Sequence, residues 1–206
     1  MFDVEPLELD PRYNIAPTQD IPIIRQDEDR NREMVMLRWG PIPHWAKDPS
    51  DLKARMINAR SETVASKPAY RSAFRYRRCL MPAAGFYEWK KEGNRKQPYF
   101  LRRKDGELMS FAGLWDRWER DHEAIESCVI LTTDANQLVG EIHNRMPVIL
   151  RPEDFELWLE SDIRVVSDLQ RLLTPYGGDD LEAYPVARTV GNPRAEGPEL
   201  VQPLAQ

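Results

Sequence analysis

From residue 79 to residue 151 the chain is a succession of short apolar runs closed by turn residues. "CLMPAAGFYEW", "QPYFLRRK", "LMSFAGLWDRW", "CVILTTDAN" and "MPVILR" follow one another with little between them. Runs of this length, rich in β-branched and aromatic residues, predict strands. "KKEGNR" joins the first two, and "KDGE", with Asp105-Gly106 at its centre, predicts a hairpin before the third. Upstream, "IPIIRQ" (21–26) and "REMVMLRWG" (32–40) predict another strand pair across the polar loop "DEDRN". The expectation is an α+β fold, mostly antiparallel β, with helices inserted and flanking rather than alternating in βαβ order.

The helices are few. "ARSETVASKPAYRSAFRYRR" (59–78) has helical spacing on both sides of Pro68 and predicts two short helices with a break. "PEDFELWL" opens with Pro152 and two acids, as a helix N-terminus does, and a second helix is expected over roughly 162–173. "PIPHWAKDPS" predicts an ordered loop, and the tail after Gly191 is irregular. With 206 residues, no internal repeat and no low-complexity linker, the expectation is one domain over 1–206, burying roughly 70% of its unfolded surface.

A net charge of −5 excludes a wholly basic nucleic-acid coat protein and leaves room for a local basic groove. Cys79 and Cys128 lie far apart in strand-like stretches, with neither a CxxC nor a zinc spacing, which predicts buried free thiols in a reducing cytosol. The acidic start "MFDVEPLELDP" has no apolar core and is not a secretory signal. No apolar run approaches the ~18 residues of a membrane span. Neither a metal nor a cofactor is expected, since HExxH, P-loop, GxSxG and GxGxxG are all missing from the sequence.

Four stretches carry more polar chemistry than packing requires. "RYNIAPTQ" (12–19) is a proline-fixed loop offering Asn14, Thr18 and Gln19. "MINARSET" (56–63) spaces Asn58, Arg60 and Glu62 two apart, on one side if extended. "AAGFYEW" (83–89) sets Glu88 between Tyr87 and Trp89, and "EIHNRMP" supplies His143 and Arg145. Each has a plain structural reading: a solvent-facing Glu88, a satisfied His143, Asn58 and Arg60 capping a helix with Ser61 as its N-cap, Trp39 and Trp45 as core anchors. As one set they read differently. A carboxylate among aromatics is desolvated and suits proton shuttling, an imidazole can serve a developing oxygen, and arginines with tryptophans suit phosphates and stacked bases.

The ordered set "PRYNIAPTQ", "WGPIPHWA", "NARSETV", "RRCLMPAAGFYEW", "SFAGLW", "LTTDAN", "IHNRMPVIL" resembles the SOS-response-associated peptidase (SRAP) family, from about Pro11 to about Leu150, with "GPELVQPL" fitting its end. The resemblance implies a barrel-like fold and a cytoplasmic DNA-damage response protein that crosslinks to abasic sites in single-stranded DNA. An N-terminal cysteine's α-amine would attack the opened sugar's aldehyde, and its thiol would close a thiazolidine. The peptidase name would reflect self-processing. By motif, the resemblance makes Asn58 the residue orienting that cysteine, Glu88 the proton shuttle and His143 the group assisting ring opening. It puts Arg60 and Arg145 on phosphates, Trp39, Trp45 and Pro17 near bases, and Thr132 or Thr133 in weaker DNA contact.

The family begins Met-Cys-Gly-Arg with a longer helical lead-in, whereas in this chain Met1 is followed by Phe2 and ten residues precede Pro11. Neither Cys79 nor Cys128 can substitute, because a thiazolidine needs amine and thiol on one residue. Retention of Asn58, Glu88, His143 and both arginines favours a late start over a degenerate variant. The expectation is a site that is formed yet silent in crosslinking, on a chain whose missing lead-in exposes a strip of core. The competing readings are a noncovalent single-stranded-DNA binder and, ranked lower, a hydrolase using Glu88 and His143.

Overall fold

A computed structural model describes residues 2–42, 46, 56–160 and 166–204. Trp45, most of the "PIPHWAKDPS" loop and the first part of the helix expected over 162–173 lie outside the described residues. The strands run β1 (Asp20–Gln26), β2 (Arg32–Trp39), β3 (Asn58–Arg60), β4 (Arg78–Ala83), β5 (Phe86–Glu92), β6 (Arg95–Arg103), β7 (Met109–Arg120), β8 (Glu123–Asp134), β9 (Arg145–Pro147), β10 (Ile149–Leu150) and β11 (Leu181–Pro185). Among the described residues four short α-helices intervene: α1 (Arg71–Tyr76), α2 (Gln137–Gly140), α3 (Phe155–Leu159) and α4 (Val166–Gln170).

Eight strands form one mixed sheet in the order β10-β7-β4-β1-β2-β8-β3, with β9 on β8 and β7 also on β8. A smaller sheet runs β11-β6-β5. The expected α+β, mainly antiparallel architecture is present, but the large sheet does not close as a barrel. Its long ladders are β7–β8, β4–β7 and β1–β2, while β1 meets β4 only at Ile24↔Leu80 and β2 meets β8 only at Arg38↔Ser127 and Trp39↔Cys128.

Two turns decide how the sheets are built. Asp105-Gly106 does make a tight turn, with Gly106 at φ 77° and its N–H on the Arg103 carbonyl. It does not, however, pair its flanking strands: β6 belongs to the small sheet and β7 to the large one. The expected hairpin is instead a crossing between sheets, because the cross-strand burial that fixes pairing lies with β5 and β11 for β6, and with β4 and β8 for β7. The tight hairpin of the large sheet joins β7 to β8 at Asp121 and His122, both with positive φ (49° and 71°). That is a type I′ geometry without the usual glycine.

Past Gly113↔Ile130, β7 and β8 splay apart, and the "MPVIL" segment enters the gap. Val148 donates to the Leu131 carbonyl of β8 and accepts from the Ala112 amide of β7, while β9 ladders onto β8 and β10 onto β7. The insertion satisfies backbone groups that the splay would leave unpaired and carries the residues before it to the end of β8.

The core has two main parts. One packs Phe74 of α1, Phe155 and Trp158 of α3, and Leu80, Leu114, Leu131 and Val148 of the large sheet, with Phe2 stacked on Phe155 at 5.5 Å. The other fills the space between the sheets with Ile23, Met81, Leu101, Phe111, Cys128 and Met146. Arg78 ties helices to sheet: buried at the start of β4, it donates to the carbonyls of Phe74, Arg75, Trp158 and Glu160, at the ends of α1 and α3. Those carbonyls are the ones a helix leaves unpaired. Burial lowers the Arg78 pKa to about 10. The sequence's first helix, over Ala59–Lys67, is not one: Asn58–Arg60 extends as β3, and Ser61–Ser66 is a run of turns around Thr63 and Arg60. "PEDFELWL" begins as a 3-10 turn at Pro152–Asp154 and continues as α3, as its N-terminal pattern implies.

Candidate functional site

The polar stretches converge on the end of β8. On one side, β3 runs parallel to β8 with Asn58↔Ile130, Ala59↔Leu131 and Arg60↔Thr132. Ala59 is buried and Asn58 and Arg60 are exposed, so the two-residue spacing puts both polar groups on the open side, as extended backbone requires. On the other side of β8, β9 pairs Asp134↔Arg145, Thr133↔Met146 and Thr132↔Pro147.

His143 is not extended with Arg145; it closes the turn after α2. Asn136 caps that helix, its side-chain oxygen accepting from Val139 N–H at 2.9 Å while its amide donates to the Tyr176 carbonyl. The N–H groups of Ile142 and His143 both reach the Val139 carbonyl. Asn136 thereby sets the direction from which the imidazole arrives.

Glu88 comes from the other sheet. It shares a face of β5 with Phe86, whose ring meets Phe111 of β7 edge-on at 5.8 Å, and it pairs with Tyr99 of β6. Gly85, just before β5, allows this approach: a Cβ there would lie 2.6 Å from the Leu101 carbonyl oxygen and against the Phe100 ring. Glu88 Oε2 stands 3.8 Å from His143 Nδ1, with the carboxyl side chain 22% exposed and the imidazole 44%. Burial raises the Glu88 pKa, and His143 and the Trp89 backbone oppose that rise only in part. A carboxyl held protonated into a higher pH range, beside an imidazole and open to solvent, is equipped to give and take protons.

Trp39 and Pro17 form an adjoining wall. The Trp39 indole N–H donates to the Ile57 carbonyl at 3.0 Å, directly before Asn58. The backbone of Trp39 exchanges hydrogen bonds with Thr18 and Gln19 of the Pro17 loop. That loop is pinned elsewhere as well: Asn14 is buried and donates to the carbonyls of Val190, Asn192 and Ala195, and Gln19 accepts from the Ala16 amide. Tyr87 holds the loop to β5 through its hydroxyl on the Tyr13 carbonyl. Asn14 and Gln19, offered by the sequence as free hydrogen-bonding groups, therefore serve the loop itself.

The two threonines sit deeper. Thr132 is 9% exposed and Thr133 4%, with the Thr133 hydroxyl donating to the Leu173 carbonyl. Arg145 is heavily engaged. One guanidinium nitrogen, Nη1, reaches both Glu62 and Asp134 (2.8 Å to Oδ1), and the other, Nη2, reaches Glu62 Oε2 at 3.0 Å and the Thr132 carbonyl at 2.7 Å. The Arg60 side chain, by contrast, has no hydrogen bond or ion pair among the described residues. Glu62 was visible in the sequence only as the third member of a two-residue spacing. Asp134 was not visible at all, since the β8–β9 register alone brings it to Arg145.

Cys79 and Cys128 are both fully buried between the sheets. Burial pushes the Cys79 thiol well up and the Cys128 thiol up to about 12, so neither offers a thiolate to the site. Among the described residues no group of three His, Cys, Asp or Glu side chains could hold a metal ion. No helix among them is long and apolar enough to cross a membrane.

Residues 2–193 match the family model "SOS response associated peptidase (SRAP)". The abasic site processing protein YoqW of Bacillus subtilis is 43% identical over 95% of this chain and 87% of its own length. The abasic site processing protein YedK of Escherichia coli is 33% identical over 98% and 88%. A solved structure of a protein from Bacteroides thetaiotaomicron has a TM-score of 0.82 and 32% identity, over 91% of this chain and 82% of that one. The chain belongs to the SOS response associated peptidase (SRAP) family.

Proposed function

We propose that this protein binds single-stranded DNA at abasic sites in the response to DNA damage and opens the lesion's sugar ring, with Glu88 and His143 moving the protons. The observation that carries the reading is the Glu88–His143 approach beside the exposed Asn58–Arg60 edge. Ring opening of the hemiacetal removes a proton from the C1′ hydroxyl and returns one to the ring oxygen, leaving an aldehyde and a 4′ hydroxyl. Glu88, whose hold on a proton burial strengthens, and the adjacent imidazole of His143 exchange these two protons with the sugar. Arg60, whose guanidinium is not hydrogen-bonded among the described residues, holds phosphate, and the Trp39–Pro17 wall takes bases by stacking.

The family resemblance assigns capture of the aldehyde to an N-terminal cysteine. Cys79 and Cys128 are both buried and take no part in that step, and ring opening is the step for which Glu88 and His143 are proposed. Single-stranded oligonucleotides with one abasic site, with an unopenable tetrahydrofuran analogue, or with no lesion are compared by fluorescence anisotropy. The aldehyde is trapped with methoxyamine. Tighter binding to the abasic strand, and oxime formation faster with protein than without it and slowed by His143→Ala, are expected. Equal trapping rates with and without protein would remove the ring-opening role. Covalent capture is read separately, as a heat-stable adduct from the same chain preceded by Met-Cys-Gly-Arg.

A further inference from the structure

Behind His143 lies a cluster of charges that the proposed chemistry leaves unused. The Arg145 side chain is only 17% exposed, yet it is gripped two-pronged by Glu62, which follows β3, touched by Asp134 of β8, and bonded to the Thr132 carbonyl. The same Thr132 carbonyl accepts from the Ser61 amide at 2.9 Å, so one oxygen ties the turn carrying Glu62 to the strand carrying Arg145. With two carboxylates on it, the guanidinium needs no external anion to stay in place.

The main chain of Arg145, meanwhile, meets the imidazole. The Arg145 N–H lies 3.2 Å from His143 Nδ1, and the Arg145 carbonyl 3.3 Å from the same nitrogen. An N–H received at Nδ1 keeps the lone pair there and the proton on Nε2, whereas the carbonyl accepts from a protonated Nδ1, so the tautomer follows from which of these two main-chain groups faces the ring. Glu88, at 3.8 Å from Nδ1, is too far to compete for that position without movement.

We propose that Glu62 is a positioning residue for His143: its two-pronged hold on Arg145 keeps the Arg145 amide on Nδ1 and so selects the tautomer protonated at Nε2. This rests on reading His143 as a proton-transfer group, and it names what orients that group. Nε2 is then the nitrogen presented away from the cluster. The charged groups around the ring are Glu88 of β5 and Arg145 of β9, with Glu62 and Asp134 acting through Arg145. Glu62 outranks Asp134 because it makes two contacts to Arg145 and Asp134 one, and because Asp134 is 79% exposed against 47% for Glu62.

The test needs no DNA, so it stands or falls apart from the binding reading. Protein labelled with nitrogen-15 in its histidines is observed by long-range proton–nitrogen correlation at a pH where His143 is neutral, with His143→Gln identifying the signal. The wild type is expected to show the Nε2-protonated form alone. Glu62→Ala is expected to give a mixture of both tautomers, Glu62→Gln a smaller admixture because one prong survives, and Asp134→Asn the wild-type pattern. An unchanged tautomer in Glu62→Ala, or a wild type protonated on Nδ1, overturns the proposal. If Glu62→Ala does not fold by circular dichroism, Arg145→Lys, which keeps the charge and loses the two-pronged geometry, must give the mixture; an unchanged tautomer there overturns it equally.

Discussion

His143 and Glu88 approach to 3.8 Å although one closes the turn after α2 and the other belongs to β5 of a separate sheet. Their meeting depends on two local devices: Asn136 capping α2, and Gly85 letting β5 close against Phe100 and Leu101. Burial raises the Glu88 pKa, the carboxyl being the more enclosed of the two.

Glu88→Gln should stabilise the fold and impair the chemistry. Burial raises the folded-state pKa of Glu88 above its unfolded value. Folding therefore favours the protonated form: that contribution is complete below the unfolded pKa and is lost as pH rises through the folded one. The variant's thermal midpoint should exceed the wild type's at neutral pH and converge with it as pH falls below the carboxylate range. Methoxyamine trapping of the aldehyde should slow by about 10²–10⁴, the usual range for loss of a general acid or base.

Glu62 should behave with the opposite sign. Its hydrogen bond to Arg145 lowers its pKa, so its contribution is present above the unfolded pKa and disappears as pH falls through the folded one. The pair is half-exposed, and Glu62→Gln should cost about 0–1 kcal/mol at neutral pH. Denaturant titrations at neutral and acidic pH should show that difference vanishing in acid.

The two arginines should differ in DNA binding. Arg60→Ala should weaken binding to single-stranded DNA and reduce the slope of log K against log salt by about 1, as loss of one phosphate contact does. Arg145→Ala should change that slope less, because its charge is already met by Glu62 and Asp134. Equal slope changes would show that DNA draws Arg145 away from its carboxylates.

Native protein should resist thiol reagents. Both cysteines are enclosed and hold their protons to high pH, so modification at neutral pH should proceed at the rate of global opening. Rapid labelling in the folded state would contradict the packing between the sheets.

Gly85→Ala should lower stability by about 1–3 kcal/mol, the range for overpacking, because the new methyl would meet the Leu101 carbonyl oxygen at 2.6 Å. It should also reduce aldehyde trapping, since Glu88 shares the displaced strand. A variant that loses stability but keeps full trapping would separate Gly85 from the site.

The sequence by itself determined the strands. Short apolar runs closed by turn residues located β1, β2 and β6–β8, whereas the single run from Cys79 to Trp89 divides at Gly85 into β4 of one sheet and β5 of the other. The sequence also marked Glu88 and His143 as polar groups in excess of packing, while Asn58 and Arg60 share one side because residues 58–60 extend as β3 where a helix was expected from residue 59. Only the tertiary structure decided which strands pair. Asp105-Gly106 carries the local signal of a hairpin, yet its strands go to different sheets, because pairing is settled by nonlocal burial that no short window contains. For the same reason Asn14, Gln19, Thr133 and Arg145 looked equally available in the sequence, while the fold engages their polar groups in a loop anchor, a loop bond, a core contact and a carboxylate clamp. Residue type states what a side chain can bond. Whether it remains free to bond anything else depends on the neighbours that folding brings to it.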